Sequence, residues 1–216
     1  MSNADQPTQF EIKSVTVEGE DIKALLVSLD YYESIYIPAT GGTMTIMDSS
    51  HAGFIEQNNI EFIEEFEFEF ANAEGESLSF KGVLNGLRNE QMMQQLKMYV
   101  IDFTSKTVRE NEQTRVVKRF KNKNPKNIVE EMVKEIGGEM DKSTGSGEPM
   151  NFLGNNRRPT DVIKQVCTNG LSGKSSVDEP QQNSGKPDKK KVKGTTGFLC
   201  WETLDGYRFA PVESDA

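Results

Sequence analysis

Residues 65–70 read Glu-Phe-Glu-Phe-Glu-Phe. In an extended chain successive side chains point to opposite faces, so Phe66, Phe68 and Phe70 share one face and Glu65, Glu67 and Glu69 the other. On a helix the same six residues would be scattered around the circumference. The pattern therefore predicts a strand with one face in a core and one in water. Such a strand needs partners, and the surrounding sequence offers them. Residues 9–17 and 23–29 are β-leaning and separated by the turn-like Gly19-Glu20-Asp21. Ile35-Tyr36-Ile37 runs into Pro38, and Gly41-Gly42 precedes a β-rich run from Thr43 to Met47. Residues 72–76 read as a turn, Leu78-Ser79-Phe80 resumes the strand pattern, and residues 96–103 supply a further strand. Six or seven strands without a convincing helix between them predict a β-sandwich or barrel over roughly residues 8–104.

The second half changes character. Asn124-Pro125 is a helix-start pair, with Asn as the cap and Pro in the first turn. Val129, Met132, Val133 and Ile136 follow at helical spacing until Gly137-Gly138. A second helix is expected near Thr160, read as its cap after Pro159, with Val162, Ile163 and Val166 inward and Asn169-Gly170 at its end. Residues 172–195 hold Ser, Gly, Pro and Lys with almost nothing apolar, and read as a mobile loop. Residues 197–209 predict a hairpin turning at Asp205-Gly206. A lone hairpin is marginal, so it must pack on something. The expected division is a β-domain at 1–104, a helical linker region at 105–171, the loop at 172–195, and a hairpin at 196–216. The fold class is mainly β, with a small α+β segment of two helices and a hairpin after the barrel.

Charge separates the halves. Residues 1–104 carry 18 acidic and 5 basic side chains, a net of -13, and the remainder 16 and 20, a net of +4, which together give the formal -9. Such a balance argues against a simple electrostatic nucleic-acid binder, which needs a basic footprint. No apolar run approaches the roughly 20 residues of a membrane-spanning helix, so no membrane insertion is expected. Residues 1–10 lack the layout of a secretory signal. Two cysteines, Cys167 and Cys200, imply no disulfide framework and make a reducing cytosol the default compartment.

Catalytic chemistry finds little support. The only histidine, His51, follows Asp48-Ser49-Ser50, but residues this close in sequence seldom meet in triad geometry, and there is no nucleophile elbow. Cys167 and Cys200 lie far apart without a CxxC or a histidine partner, so zinc is not indicated and each reads as a small core residue. Alternating glutamates read as a solvated sheet face rather than a calcium site, and no glycine pair matches a nucleotide fingerprint. The sequence therefore nominates no catalytic, cofactor-binding or metal residues, and no cofactor. Lys186 to Lys193 read as a solubilising tract, with binding to an acidic partner or nucleic acid as the alternative. Arg157-Arg158 and Lys118-Arg119-Phe120-Lys121 would give the helical part a basic rim, and the acidic first half makes charge complementarity between subunits a natural use for it. Ordinary surface charge is the alternative.

The order of motifs resembles a known family. Residues 25–50 (LLVSLDYYESIYIPATGGTMTIMDSS), followed by FEFEFANAEGESLSFKGVLNGL at 66–87, resemble the N-terminal tube domain of baseplate hub proteins from contractile-tailed, T-even-type bacteriophages. NPKNIVEEMVKEIG at 124–137 is similar to the family's connecting helix. RRPTDVIKQVC at 157–167 with GFLCWETLDGYRF at 197–209 is similar to the helix and strand leading into its second tube domain.

The resemblance, spanning roughly residues 10–210, implies a β-barrel tube-like domain and a non-enzymatic structural virion protein. The implied protein is a homotrimer whose barrels form a ring joining the tail spike protein to a tail-tube or tube-initiator protein, beside baseplate wedge proteins. DNA would be present only in transit through the bore, where carboxylates would repel its phosphates. The implied location is the virion's tail baseplate, assembled in the host cytoplasm. The family carries a full second barrel, whereas this sequence ends at Ala216, just after the hairpin placed at its start. Another tail-tube or baseplate component is the nearest alternative. A non-viral carbohydrate- or peptide-binding β-module would need exposed aromatics on one concave face, for which Tyr31, Tyr32 and Tyr36 are the candidates. An enzyme would have to work through His51 or Asp48.

Overall fold

The computed structural model describes residues 10–50, 53–72, 75–93, 95–145, 147–172 and 197–212. His51, the predicted loop from residue 173 onward and its lysine tract lie outside these. The described chain divides into two units, one holding the residues up to Ser34 with Ala39–Arg109, the other Ile35–Pro38 with the residues from Glu110 on.

The first unit is built from β1 (Phe10–Val17), β2 (Glu20–Asp21), a 3-10 turn at Lys23–Leu25, β3 (Leu26–Tyr32), β4 (Gly41–Asp48), a single helical turn α1 (Phe54–Gln57), β5 (Glu65–Asn72), β6 (Ser77–Met93) and β7 (Leu96–Ser105). All seven strands join one curled, half-barrel sheet in the order β2-β1-β5-β6-β7-β4-β3, with every pairing antiparallel. The two ends of that order, β2 and β3, are consecutive in sequence, so the stretch from Ile22 to Leu25 spans the gap that a closed barrel would fill with hydrogen bonds.

Alternation decides what lies inside. Phe66 and Phe68 are buried, while Glu65, Glu67 and Glu69 reach the opposite face. Val15 and Val17 from β1, Met44 and Ile46 from β4, Phe80 and Leu84 from β6, and Tyr99, Ile101 and Phe103 from β7 complete the core. Four phenylalanines form its centre, with ring centroids 4.7 Å apart for Phe66–Phe103, 5.2 Å for Phe68–Phe80 and 5.3 Å for Phe80–Phe103. Tilted and stacked contacts at these distances add to the area that the rings bury. Gly42 is needed for close approach. A Cβ there would sit 1.9 Å from the Asp30 carbonyl oxygen and 2.6 Å from the Phe103 ring.

The sequence reading differs in two places. Ile35-Tyr36-Ile37 is not strand, and this segment groups with the second unit, where Tyr207 Oη donates to the Pro38 carbonyl at 3.2 Å. Proline closes off extension there, and β4 starts only at Gly41. The second difference is β6. Residues 81–93 continue the strand to 17 residues, through bulges that shift the register between Leu84 and Gly86 and between Leu87 and Asn89. Glycines and asparagines at 82–89 disrupt the alternation, and each bulge resets which face a side chain takes, so period two is lost in the sequence.

The second unit contains α2 (Lys106–Gln113, which crosses the division), β8 (Arg119–Lys123), α3 (Pro125–Glu135), β9 (Met140–Ser143), β10 (Met150–Leu153), α4 (Pro159–Asn169), β11 (Phe198–Thr203) and β12 (Gly206–Pro211). The stretch expected as a helical linker thus also holds three short strands. β8 and β10 form a two-stranded ribbon, and β11, β12 and β9 a three-stranded sheet in which β12 runs parallel to β9.

The two predicted helices are present. Asn124 caps α3, accepting from the Lys126 N–H at 2.9 Å with Pro125 in the first turn, and Gly137 beyond it has φ 72°. For α4 the cap differs from expectation. Arg158 holds the cap position and Pro159 the first turn, while the Thr160 N–H is met by Asn111 Oδ1 of α2 at 2.9 Å. A tertiary partner does the work assigned to Thr160. Ile128, Val129, Met132, Val133 and Ile136 pack with Val162, Ile163, Val166, Phe120, Phe198, Tyr207 and Phe209 in one core. The hairpin is therefore not solitary. Its loop is Leu204–Asp205, since Thr203 pairs with Gly206, whose φ of 124° suits glycine alone.

Candidate assembly surfaces

The residues weighed for chemistry make structural contacts where they are described. Asp48 is buried, and its carboxylate accepts from the Ser50 N–H at 2.7 Å and the Ser50 hydroxyl at 2.5 Å. Ser50 Oγ in turn accepts from the Gly53 N–H at 3.2 Å. Both side chains are spent on closing the turn into α1, the usual use of Asp and Ser at such a place. Cys167 and Cys200 are buried in the second core. Burial pushes the Cys167 thiol up to about 12, and burial, with Cys167 and Glu202 nearby, holds Cys200 well above its ordinary value. Both stay protonated at neutral pH. No cluster of three or more metal-ligating side chains occurs among the described residues. No helix among them is long and apolar enough to cross a membrane.

Tyr31 and Tyr32 do not share a face. Tyr31 packs on Phe68 and Phe80 with centroids 5.8 and 5.4 Å away, whereas Tyr32 and Tyr36 are exposed and belong to different units.

The basic rim is partly engaged. Lys118 and Lys123 both pair with Glu131, Arg158 pairs with Glu112 at 2.8 Å, and Arg157 donates to Gln165. Arg119 and Lys121 remain. They flank buried Phe120 on β8 and point to the solvent side of the ribbon.

The glutamate row is also partly engaged. Glu65 pairs with Lys106 and Glu67 with Lys81. In the sheet unit the hydrogen bonds from Lys13, Lys97 and Lys106 hold the carboxyls of Glu11, Glu56 and Glu65 below their ordinary value. Such exposed pairs contribute little to stability.

Among the described residues the longest unpaired strand edge is that of β6. β5 pairs with β6 only up to Val83, and the Leu84 N–H bonds the Glu64 carbonyl at 2.9 Å. From residue 85 to 93 the strand pairs with β7 alone, and no described strand lies on its other side. Met93 and Leu96 close the hairpin. The closing pair of a two-residue loop exchanges both hydrogen bonds, so alternation aims the N–H groups of Glu90 and Met92 away from β7. Arg88, Glu90 and Met92 are exposed, Met92 at 72%. Sequence reading missed this edge because the bulges hid the strand itself.

No protein-family model matches the chain, and no curated protein matches it in sequence. Solved structures do. A 43 kDa tail protein of prophage MuSo2 from Shewanella oneidensis superposes with a TM-score of 0.59 at 10% identity, covering 93% of this chain and 54% of the other. A tail protein from Neisseria meningitidis MC58 gives a TM-score of 0.53 at 12% identity, covering 95% and 52%. A component of an E. coli type VI secretion system scores 0.48, too low to carry weight. The chain thus spans about half the length of the tail proteins it matches. At such identities the likeness speaks of fold alone, and the chain has the mainly-β fold of these tail proteins.

Proposed function

We propose that the chain is a structural subunit of a phage tail, the central hub of its baseplate, working by self-association rather than catalysis. The observation that carries this reading is the unpaired β6 edge at residues 85–93 on a curled antiparallel sheet. An exposed edge of that length is a template for a strand from another chain, and soluble monomers normally cover or blunt it. The likeness to two tail proteins supports the same direction. In this reading three copies form a ring between the tail spike protein and the tail-tube or tube-initiator protein, beside the wedge proteins of the baseplate. The glutamates of β5 oppose the aromatic core, and a bore lined by such a face would repel passing DNA phosphates.

A double substitution, Glu90→Pro with Met92→Pro, tests the edge. Proline at these positions removes outward donors without removing bonds to β7. The expected result is a variant with the wild-type circular dichroism spectrum that stays monomeric at concentrations where the wild type assembles. A variant that assembles as well as the wild type overturns the edge reading.

A further inference from the structure

The outward face of the β8–β10 ribbon has an unusual make-up for solvent. Phe120 and Phe152 pair across the ribbon and face inward, so their register neighbours Arg119 and Leu153 face outward together. Lys121 shares that face by alternation. Val117, just before β8, is 75% exposed and Leu153 is 55% exposed. The face thus presents two uncovered aliphatic side chains beside two cations that form no ion pair with any described residue.

The sheet unit carries the complementary surface. A cleft of about 120 Å³ has Val17, Phe54 and Ile60 as its apolar floor and Glu18, Glu20 and Glu64 at its rim. Backbone donors fix two of the three carboxylates. Glu18 accepts from the Glu65 N–H at 2.7 Å, and Glu64 from the N–H groups of Glu61 and Ile63 at 2.6 and 2.9 Å. None of the three is in an ion pair with a described residue. Three carboxylates around one apolar hollow repel each other, and a cation brought to them relieves that cost.

Resting on the self-assembly reading, we propose that the β8–β10 ribbon docks into this acidic cleft on the sheet unit of a second copy of the chain. An aliphatic side chain, Leu153 or Val117, enters the hollow, and Arg119 and Lys121 meet the rim. Charge complementarity selects this occupant: the sequence up to residue 104 has a net charge of -13, and the remainder +4. Because ribbon and cleft are different surfaces, the contact is head-to-tail, the type that closes into rings.

The test uses charge reversal and sedimentation equilibrium on the full chain. Arg119→Glu with Lys121→Glu alters the ribbon. Glu20→Lys alters the rim at a carboxylate with no hydrogen-bonding role among the described residues. Each variant alone is expected to associate about tenfold or more weakly than wild type, and wild-type association to weaken as salt rises. An equimolar mixture of the two variants is expected to regain about tenfold, because the unaltered rim of the ribbon variant meets the unaltered ribbon of the rim variant. A ribbon variant that associates like wild type, or a mixture no tighter than its parts, overturns the proposal. If β6-edge prolines abolish assembly while ribbon reversal does not, the edge reading stands and this contact falls. The reverse pattern keeps this contact and removes the edge. A wild type that is monomeric at every concentration removes both.

Discussion

The two units of this chain commit their residues differently. In the sheet unit each strand gives alternate side chains to the core and leaves the others outward, with carboxylates such as Glu67 and Glu69 among them. It also leaves backbone edges, since an open antiparallel sheet cannot satisfy both its outer strands. In the α+β unit two helices turn their apolar stripes onto short strands and a hairpin, and Lys118, Lys123 and Arg158 find partners inside the unit. The small β8–β10 ribbon face is among what remains outward there. A sheet of the first kind offers surface by construction, while the second kind offers it only where packing leaves a remainder.

Core substitutions give the largest expected effects and ask whether the two cores are separate. Phe66→Ala removes a fully buried ring with three phenylalanine neighbours and is expected to cost the sheet unit about 3–5 kcal/mol. Ile128→Ala in α3, also fully buried, is expected to cost the other unit about 2–5 kcal/mol. Trp201, the only tryptophan, lies in β11 and reports on the second unit. In denaturant titrations its fluorescence transition should move with Ile128→Ala and hold still with Phe66→Ala, while circular dichroism follows both. A Trp201 transition that moves with Phe66→Ala would show the units melting as one.

Helix caps come next. Asn124→Ala removes the cap of α3, and Asn111→Ala removes the acceptor for the first turn of α4. Each should lower the Trp201 transition by about 1 kcal/mol, the Asn111 change the more because that side chain is buried. Equal, negligible effects would mean water replaces both acceptors without loss.

The smallest effect is electrostatic and concerns the sheet unit. Glu11, Glu56 and Glu65 titrate below their ordinary 4.5, each first because of a lysine hydrogen bond. A carboxyl lowered on folding contributes stability in full above its unfolded value and loses it as pH falls through its folded value. Below about pH 4.5 the sheet unit should therefore lose stability, by a small margin because the groups are exposed. Acid titration of thermal stability checks it: Lys106→Met should flatten the fall that Glu65 contributes, and an unchanged profile would remove Glu65 from the account.

Legibility followed the same division. Glu65–Phe70 announced its strand because alternation is a local property, and the Asn124-Pro125 start of α3 is local chemistry too. The bulged half of β6 was hidden because two register shifts erase the period. The α4 cap was misassigned because its acceptor, Asn111, is 49 residues away in sequence. β8, β9 and β10 are four or five residues long and take their meaning from cross-strand partners, so no window of sequence displays them. Among candidate site residues, Arg119 and Lys121 were named within a basic rim, but only pairing partners separate them from Lys118, Arg157 and Arg158. The acidic cleft joins residues 17–20 to residues 54–64 and had no local signal.

The central claim is that this chain is an assembling structural subunit. Negative-stain electron microscopy of the purified protein, with a light-scattering mass on the same sample, tests it most directly. The account predicts threefold rings with a central pore at a mass near three subunits. A monodisperse monomer at all concentrations would contradict it.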